Sequence, residues 1–251
     1  MNPCGLRRVA PAVFGALALA ALACVTAPAA AQDFNALLAA PDRAETDRVI
    51  DKRRDPLRLL QFTGVRTGMT VLDMGAGGGY STELMARAAG PTGKVYAQNA
   101  PDMNENARKR FAARSETPAL KDVVLLTRKF DDPVPPEVRD LDLITFFFAY
   151  HDVSYMEVDR AAMNRKLFEA LKPGGSLVIA DHSAKTGDGT TVGKSLHRIE
   201  EAALRREVEA AGFKLVASGD FLRQPGDPRD FTTTKPTGPV DEFVLRFEKP
   251  K

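Results

Sequence analysis

An α/β architecture, a mostly parallel sheet with helices on both faces, is the fold class this chain predicts from Met69 onward, and three features predict it. Short apolar runs alternate with longer stretches of helical periodicity. Boundary signals fall between them, and one stretch, Thr70 to Ala86, packs a strand, a glycine turn and a helix start into a single unit. Strands are expected at Thr70–Met74, Lys94–Gln98, Val123–Thr127, Leu141–Phe147, Ser176–Asp181, Phe213–Ser218 and Glu242–Phe247. The helices between them are expected at Ser81–Ala89, Asp102–Arg114, Tyr155–Leu171 and Ile199–Ala211. Ser154-Tyr-Met-Glu157 reads as a capping box, Leu171-Lys-Pro-Gly-Gly175 as a helix stop, and Gly212 lies just past a periodic apolar stretch.

Residues 1–31 belong to another class. Arg7 and Arg8 precede an Ala, Leu, Val and Phe stretch, and Ala29-Ala30-Ala31 forms a small-residue cleavage site before Gln32. This predicts a secretory signal peptide and a periplasmic or secreted protein. Pro11 and the small-residue tail leave an apolar core too short for a bilayer, so no stable membrane insertion is expected after cleavage. A lipoprotein acylated at Cys24 is the variant reading, although Ala21-Leu22-Ala23 makes a poor lipobox. Residues 32–63 read as an N-terminal helical extension, with Asp55 capping a second helix, Pro56 at its first position and Gly64 ending it. Residues 64–251 form the main domain.

With 251 residues, 27% charged and 44% hydrophobic, the chain has an ordinary globular composition. Cleavage after Ala31 removes both cysteines, which excludes a disulfide or a thiol nucleophile in the mature chain. It also removes Arg7 and Arg8 but no acid, so the 33 acidic groups meet an equal number of basic ones. A balanced surface gives no overall attraction for nucleic acid or an anionic membrane.

The turn after the first strand carries the functional signal. Glycines at alternate positions strip the backbone of Cβ atoms where it reverses, so a ligand can lie against bare main chain. Ser81 and Thr82 offer hydroxyls at the next helix N-terminus. A dinucleotide fingerprint requires glycine where Tyr80 stands, and a P-loop requires Gly-Lys-Ser/Thr, which is missing. The run Asp-x-Gly-x-Gly-x-Gly, Asp73 to Gly79, resembles motif I of class I S-adenosylmethionine-dependent methyltransferases. Lys172-Pro173-Gly174-Gly175 looks like that family's turn into its fifth strand. Tyr150-His151-Asp152, Asp181-His182, Leu196-His197-Arg198-Ile199-Glu200 and Asp241 to Arg246 are similar to segments of its secreted, signal-bearing members. The resemblance implies a seven-stranded Rossmann-like sheet in the order 3-2-1-4-5-7-6 with an antiparallel last strand. It also implies S-adenosylmethionine as cofactor and transfer of a methyl group to a small-molecule acceptor, on oxygen or nitrogen.

Ligands of such sheets bind beyond the carboxyl ends of the strands. The resemblance places the cofactor's methionine part over Gly75, Gly77 and Gly79, with Asp73 ordering the turn. It puts Asn99 where the family carries a ribose-binding acid, and Phe130 with Asp131 against adenine. His151, His182 and His197 all fall in loops at one sheet edge. We read His151 as a base for a hydroxyl acceptor, with Tyr150, Asp152 and His182 shaping the pocket. Phe148-Ala149-Tyr150-His151 stands in place of Asn-Pro-Pro-Tyr, which argues against adenine or glutamine amides as acceptors. His151, Asp152, Asp181, His182 and His197 could instead make a nitrogen and carboxylate site for a divalent metal such as zinc, manganese or iron, but no close spacing such as His-x-x-x-His supports it, and no metal is expected. The competing class is an exported binding protein, non-catalytic or metal-dependent, on the same fold. The segments Thr186–Ser195 and Arg223–Pro239 read as long loops bordering the acceptor pocket.

Overall fold

The computed structural model describes Met1 and residues 32–251; the segment expected to be a signal peptide, Met1 apart, lies outside the described residues, and so do Cys4 and Cys24. The N-terminal extension folds as helices α1 (Phe34–Leu38), α2 (Glu45–Arg54) and α3 (Pro56–Thr63). Asp55 caps α3 by accepting from Arg58 N–H, Pro56 occupies its first turn, and Gly64 closes it in a left-handed conformation, as expected. The sheet domain then runs β1 (Thr70–Met74), α4 (Tyr80–Ala89), β2 (Lys94–Asn99), α5 (Glu105–Ser115), β3 (Val124–Thr127), β4 (Leu141–Phe147), α6 (Tyr150–Val153) and α7 (Arg160–Ala170). It finishes with β5 (Leu171–His182), α8 (Gly193–Leu196), α9 (Glu201–Ala210), β6 (Lys214–Gly219) and β7 (Glu242–Glu248).

The seven strands are ordered β3-β2-β1-β4-β5-β7-β6. Neighbours from β3 through β5 pair in parallel, and β7 runs antiparallel to both β5 and β6. This is the expected topology. Alternate residues of each central strand feed opposite cores. Leu72, Met74, Ile144, Phe146 and Phe243 pack on one face, and Val71, Leu143, Val178 and Val244 on the other. Strand order reverses between β1 and β4, which opens the crevice at their carboxyl ends.

Most strand boundaries fall within a residue or two of expectation, and the exceptions have local causes. Chain 155–159 is not helical: Ser154 Oγ donates back to the His151 carbonyl at 2.6 Å, and Asp159, which accepts from Ala162 N–H, is the cap of α7. β5 also begins earlier, because Leu171 already pairs with Leu141 before a register shift restores the ladder at Ser176.

The segment after β6 is anchored by an ion pair closed to solvent. Arg198 Nη1 lies 2.8 Å from Asp227 Oδ2, with both side chains at 0% exposure, and Arg198 also donates to the carbonyls of Ser183 and Phe231. Removing one member strands the other charge. Asp227→Ala is therefore expected to lower unfolding free energy by about 3–5 kcal/mol, read from urea denaturation.

Candidate functional site

At the end of β1 the Asp73 carboxylate is fully buried and accepts three hydroxyls: Ser81 Oγ at 2.9 Å, Thr82 Oγ1 at 2.6 Å and Thr145 Oγ1 at 2.8 Å. Burial raises its pKa, against the pull of those hydrogen bonds. Asp73 thus ties β1, β4 and the start of α4 together. The Ser81 and Thr82 hydroxyls face inward, which corrects the expectation that they face a ligand. The three glycines also divide by role. A Cβ on Gly75 meets Ala149 and Phe146 at 3.1 and 3.2 Å, and one on Gly79 meets Arg114 and Phe111 at 3.0 and 3.2 Å. A Cβ on Gly77, whose φ is +56°, meets only the Gly75 carbonyl at 3.9 Å. Gly77 is where bare backbone faces open space.

The end of β2 holds this turn in place. Gln98 Oε1 accepts from Gly75 N–H at 3.1 Å while its amide donates to the Arg128 carbonyl at 2.7 Å. Asn99 Oδ1 accepts from Gly77 N–H at 2.8 Å, and Asn99 Nδ2 donates to the Gly77 carbonyl at 3.2 Å. Both polar atoms of Asn99 are thereby engaged on the turn, each with one further bonding position left. An amide fits here because it both donates and accepts. Beside it lies a cleft of about 330 Å³ lined by Ala100, Pro101, Phe130, Asp131 and Met156. Phe130 stacks on Phe146 with ring centroids 6.1 Å apart.

Past β4 and β5 the three histidines converge, with His151 centroids 5.4 Å from both His182 and His197. His151 Nδ1 lies 2.7 Å from Asp181 Oδ1, and its Nε2 lies 3.2 Å from Asp152 Oδ1. Burial disfavours its charge, yet the two carboxylates outweigh burial and lift its pKa to about 10. Asp152, despite burial, is held down at about 2 by the same contact. Both ring nitrogens of His151 thus face carboxylates, which favours its protonated form. Tyr150 is also reassigned: it is fully buried against Phe146, and its hydroxyl is bonded to Asn164 on α7 and Glu207 on α9, inside the core. His182 packs against Phe148 at 5.2 Å, and burial pushes its pKa down to about 3. Its Nδ1 lies 3.0 Å from Glu242 Oε1 but outside hydrogen-bond geometry.

Arg53, Arg54 and Glu242 complete this wall and escaped sequence reasoning. Arg53 Nη1 donates to Glu242 Oε1 at 2.6 Å. The Arg54 guanidinium lies 4.4 Å above the Phe148 ring and 5.3 Å from that of Tyr80, and its Nε has no partner among the described residues. Burial lowers its pKa to about 10. The available signal was helical spacing: Asp47, Asp51 and Arg54 share one face of α2, as residues three or four apart do. That face is pinned down, since Asp47 pairs with Arg114 at 2.6 Å and Asp51 accepts from the Tyr80 hydroxyl at 2.7 Å.

A strand–turn–helix cradle with an open glycine, at the switch point of a seven-stranded sheet, has known counterparts. A family model described as a methyltransferase domain matches residues 66–213, more than half of the chain. The chain belongs to this methyltransferase family. It is 31% identical, over 124 residues, to the ubiquinone/menaquinone biosynthesis C-methyltransferase UbiE of Escherichia coli K12, covering 49% of this chain and 47% of that protein. The chain thus spans about half the length of the curated relatives it matches. Among solved structures, a SAM dependent methyltransferase from Aquifex aeolicus superposes with a TM-score of 0.58 at 22% identity, covering 80% of this chain and 96% of that one. A SAM-dependent O-methyltransferase from Thermotoga maritima superposes with a TM-score of 0.55 at 17% identity, covering 83% and 72%. These likenesses show the methyltransferase fold.

Burial lifts the Glu242 carboxyl to about 7, against the lowering pull of Arg53 and Arg54. The native state keeps this proton up to about 7, whereas an unperturbed carboxyl releases it near 4.5, so the native state binds more protons in that window. The Glu242 contribution to stability accordingly falls as pH rises through it. Denaturant melts of Glu242→Gln and wild type are expected to show their stability difference moving in the variant's favour from about pH 4.5 to about pH 7.

Proposed function

We propose that this chain is an S-adenosylmethionine-dependent methyltransferase acting on a small-molecule acceptor, on oxygen or nitrogen. The observation that carries the reading is the open side of Gly77 in the turn after β1. Two complementary groups accompany it: the cleft that holds Phe130 and Asp131, and the guanidinium of Arg54, whose Nε has no partner among the described residues. An adenosyl amino acid needs both, a slot for a planar base and a cation for a carboxylate.

The residues fit the cofactor. Phe130, Pro101 and Asp131 would hold the adenine, the Gly75–Gly77 backbone the methionine chain, and Arg54 its carboxylate. When bound, S-adenosylmethionine supplies an electrophilic methyl group. Asp73 keeps the turn in one conformation through its three hydroxyl bonds. His151, Asp152 and His182 border the acceptor end, and His151 keeps its Nδ1 proton toward Asp181. Methyl transfer demands alignment of nucleophile and methyl above all, so positioning supplies much of the rate and a base is optional. Export to the periplasm or the exterior by a cleaved signal at residues 1–31, as in secreted members of the family, belongs to the same proposal, and N-terminal sequencing of exported protein tests it.

Calorimetry of the full chain with S-adenosylmethionine and S-adenosylhomocysteine is expected to give saturable binding. Gly77→Val, which puts a branched side chain at φ +56° and into the open space, is expected to weaken it at least tenfold. Arg54→Gln is expected to weaken it about tenfold, the scale of one charge-assisted contact. No heat of binding for either compound at millimolar concentration would favour the non-catalytic alternative.

A further inference from the structure

We propose that His151 Nε2, Asp152 Oδ1 and His197 Nδ1 form a binding site for a divalent transition-metal ion of the zinc, manganese or iron class. Among the described residues these three bring ligand atoms within 4.8 Å of one another. Asp152 Oδ1 sits between the two rings, 3.2 Å from His151 Nε2 and 3.3 Å from His197 Nδ1, and also accepts from the Tyr155 hydroxyl at 2.8 Å. A metal ion at Nε2 takes the place of the proton there, which is released to solvent. Donors bound to one ion at about 2.0–2.1 Å with tetrahedral angles stand roughly 3.3 Å apart, the spacing that Asp152 Oδ1 keeps to each of the two imidazole nitrogens. Two imidazoles and one carboxylate favour a borderline transition metal over magnesium or calcium, which take oxygen ligands.

Two further observations come from outside the trio. The fully buried Asp181 lies 2.7 Å from His151 Nδ1 and also accepts from His151 N–H at 2.7 Å, which fixes the ring with Nε2 toward Asp152. Such a carboxylate behind a histidine is the usual support of a metal-bound imidazole. His197 is brought in by construction. A Cβ on Gly193 would stand 2.3 Å from Ser154 Oγ and 2.9 Å from the His151 carbonyl, so only glycine lets α8 settle on α6. His197 then caps α8 in the left-handed conformation at φ +52°, its carbonyl accepts from Thr233 Oγ1, and its chain neighbour is the buried Arg198. The three ligands leave further coordination positions for water or, on the methyltransferase reading, for an acceptor oxygen.

The full chain, treated with a chelator and dialysed, is to be titrated with zinc in competition with a chromophoric chelator. One equivalent is expected to bind, and His197→Ala and Asp152→Asn are each expected to lower affinity about tenfold or more. Lys194→Ala, an exposed position on α8, is expected to bind as the wild type does. Cobalt in place of zinc is expected to give visible ligand-field absorption that His197→Ala loses. Binding that never saturates at one equivalent overturns the site, as does unchanged zinc affinity in a folded His197→Ala. Because His197 lies away from the Gly77 turn, S-adenosylmethionine calorimetry on the same variant separates the two readings: lost metal with retained cofactor binding supports the metal site by itself.

Discussion

One buried carboxylate organises the strand–turn–helix unit. Among the described residues Asp73 has no cation bonded to it and is satisfied by three hydroxyls from two elements, which is how a buried carboxylate avoids a large desolvation penalty. Ser81 and Thr82 orient the first turn of α4, and Thr145 fixes β4 beside β1. The crevice between those strands inherits its width from these bonds. Gly77 presents bare backbone to the crevice because its neighbours on both sides are packed against protein.

The N-terminal helices are a working part of this site. α2 is held to the sheet domain by acid–base contacts rather than by an apolar stripe: Asp47 with Arg114, Asp51 with Tyr80 and Arg53 with Glu242. Arg114 in turn contacts Glu83 on α4 and the Gly78 carbonyl, so the clamp reaches the glycine turn itself. Its result is that Arg54, without an ion pair among the described residues, sits over Phe148 and beside Tyr80, the first residue of α4. A mixed acid and base clamp also gives α2 a low apolar content, which hides its importance in composition.

The sheet was legible because its central strands are unambiguous. Thr70–Met74 and Leu141–Phe147 are apolar runs of strand length, with turn signals on at least one side, and their bounds agree with the structure. The stretch after Val153 misled because Ser154 and Glu157 satisfy a capping pattern, while the Ser154 hydroxyl spends itself on the preceding carbonyl. In the site, Asp73 and the glycine turn were readable from spacing, but which glycine faces open space depends on Phe146, Phe111 and Arg114, residues far along the chain. Tyr150 and His151 are adjacent in sequence, yet one enters the core and the other the pocket wall, since a short helical turn sends neighbours about 100° apart. The perturbed titration of His151 comes from carboxylates on β5 and α6 and that of Glu242 from its burial, and no local pattern announces either.

The amide of Asn99 has a thermodynamic consequence for ligand capture. A carboxylate at that position would accept from Gly77 N–H but repel the Gly77 carbonyl, leaving half of the latch open; the amide closes both halves. The loop's conformational entropy is therefore surrendered during folding and not at the moment of association. A guest arriving at the crevice meets a mould already set, and its affinity depends on how well it matches that shape.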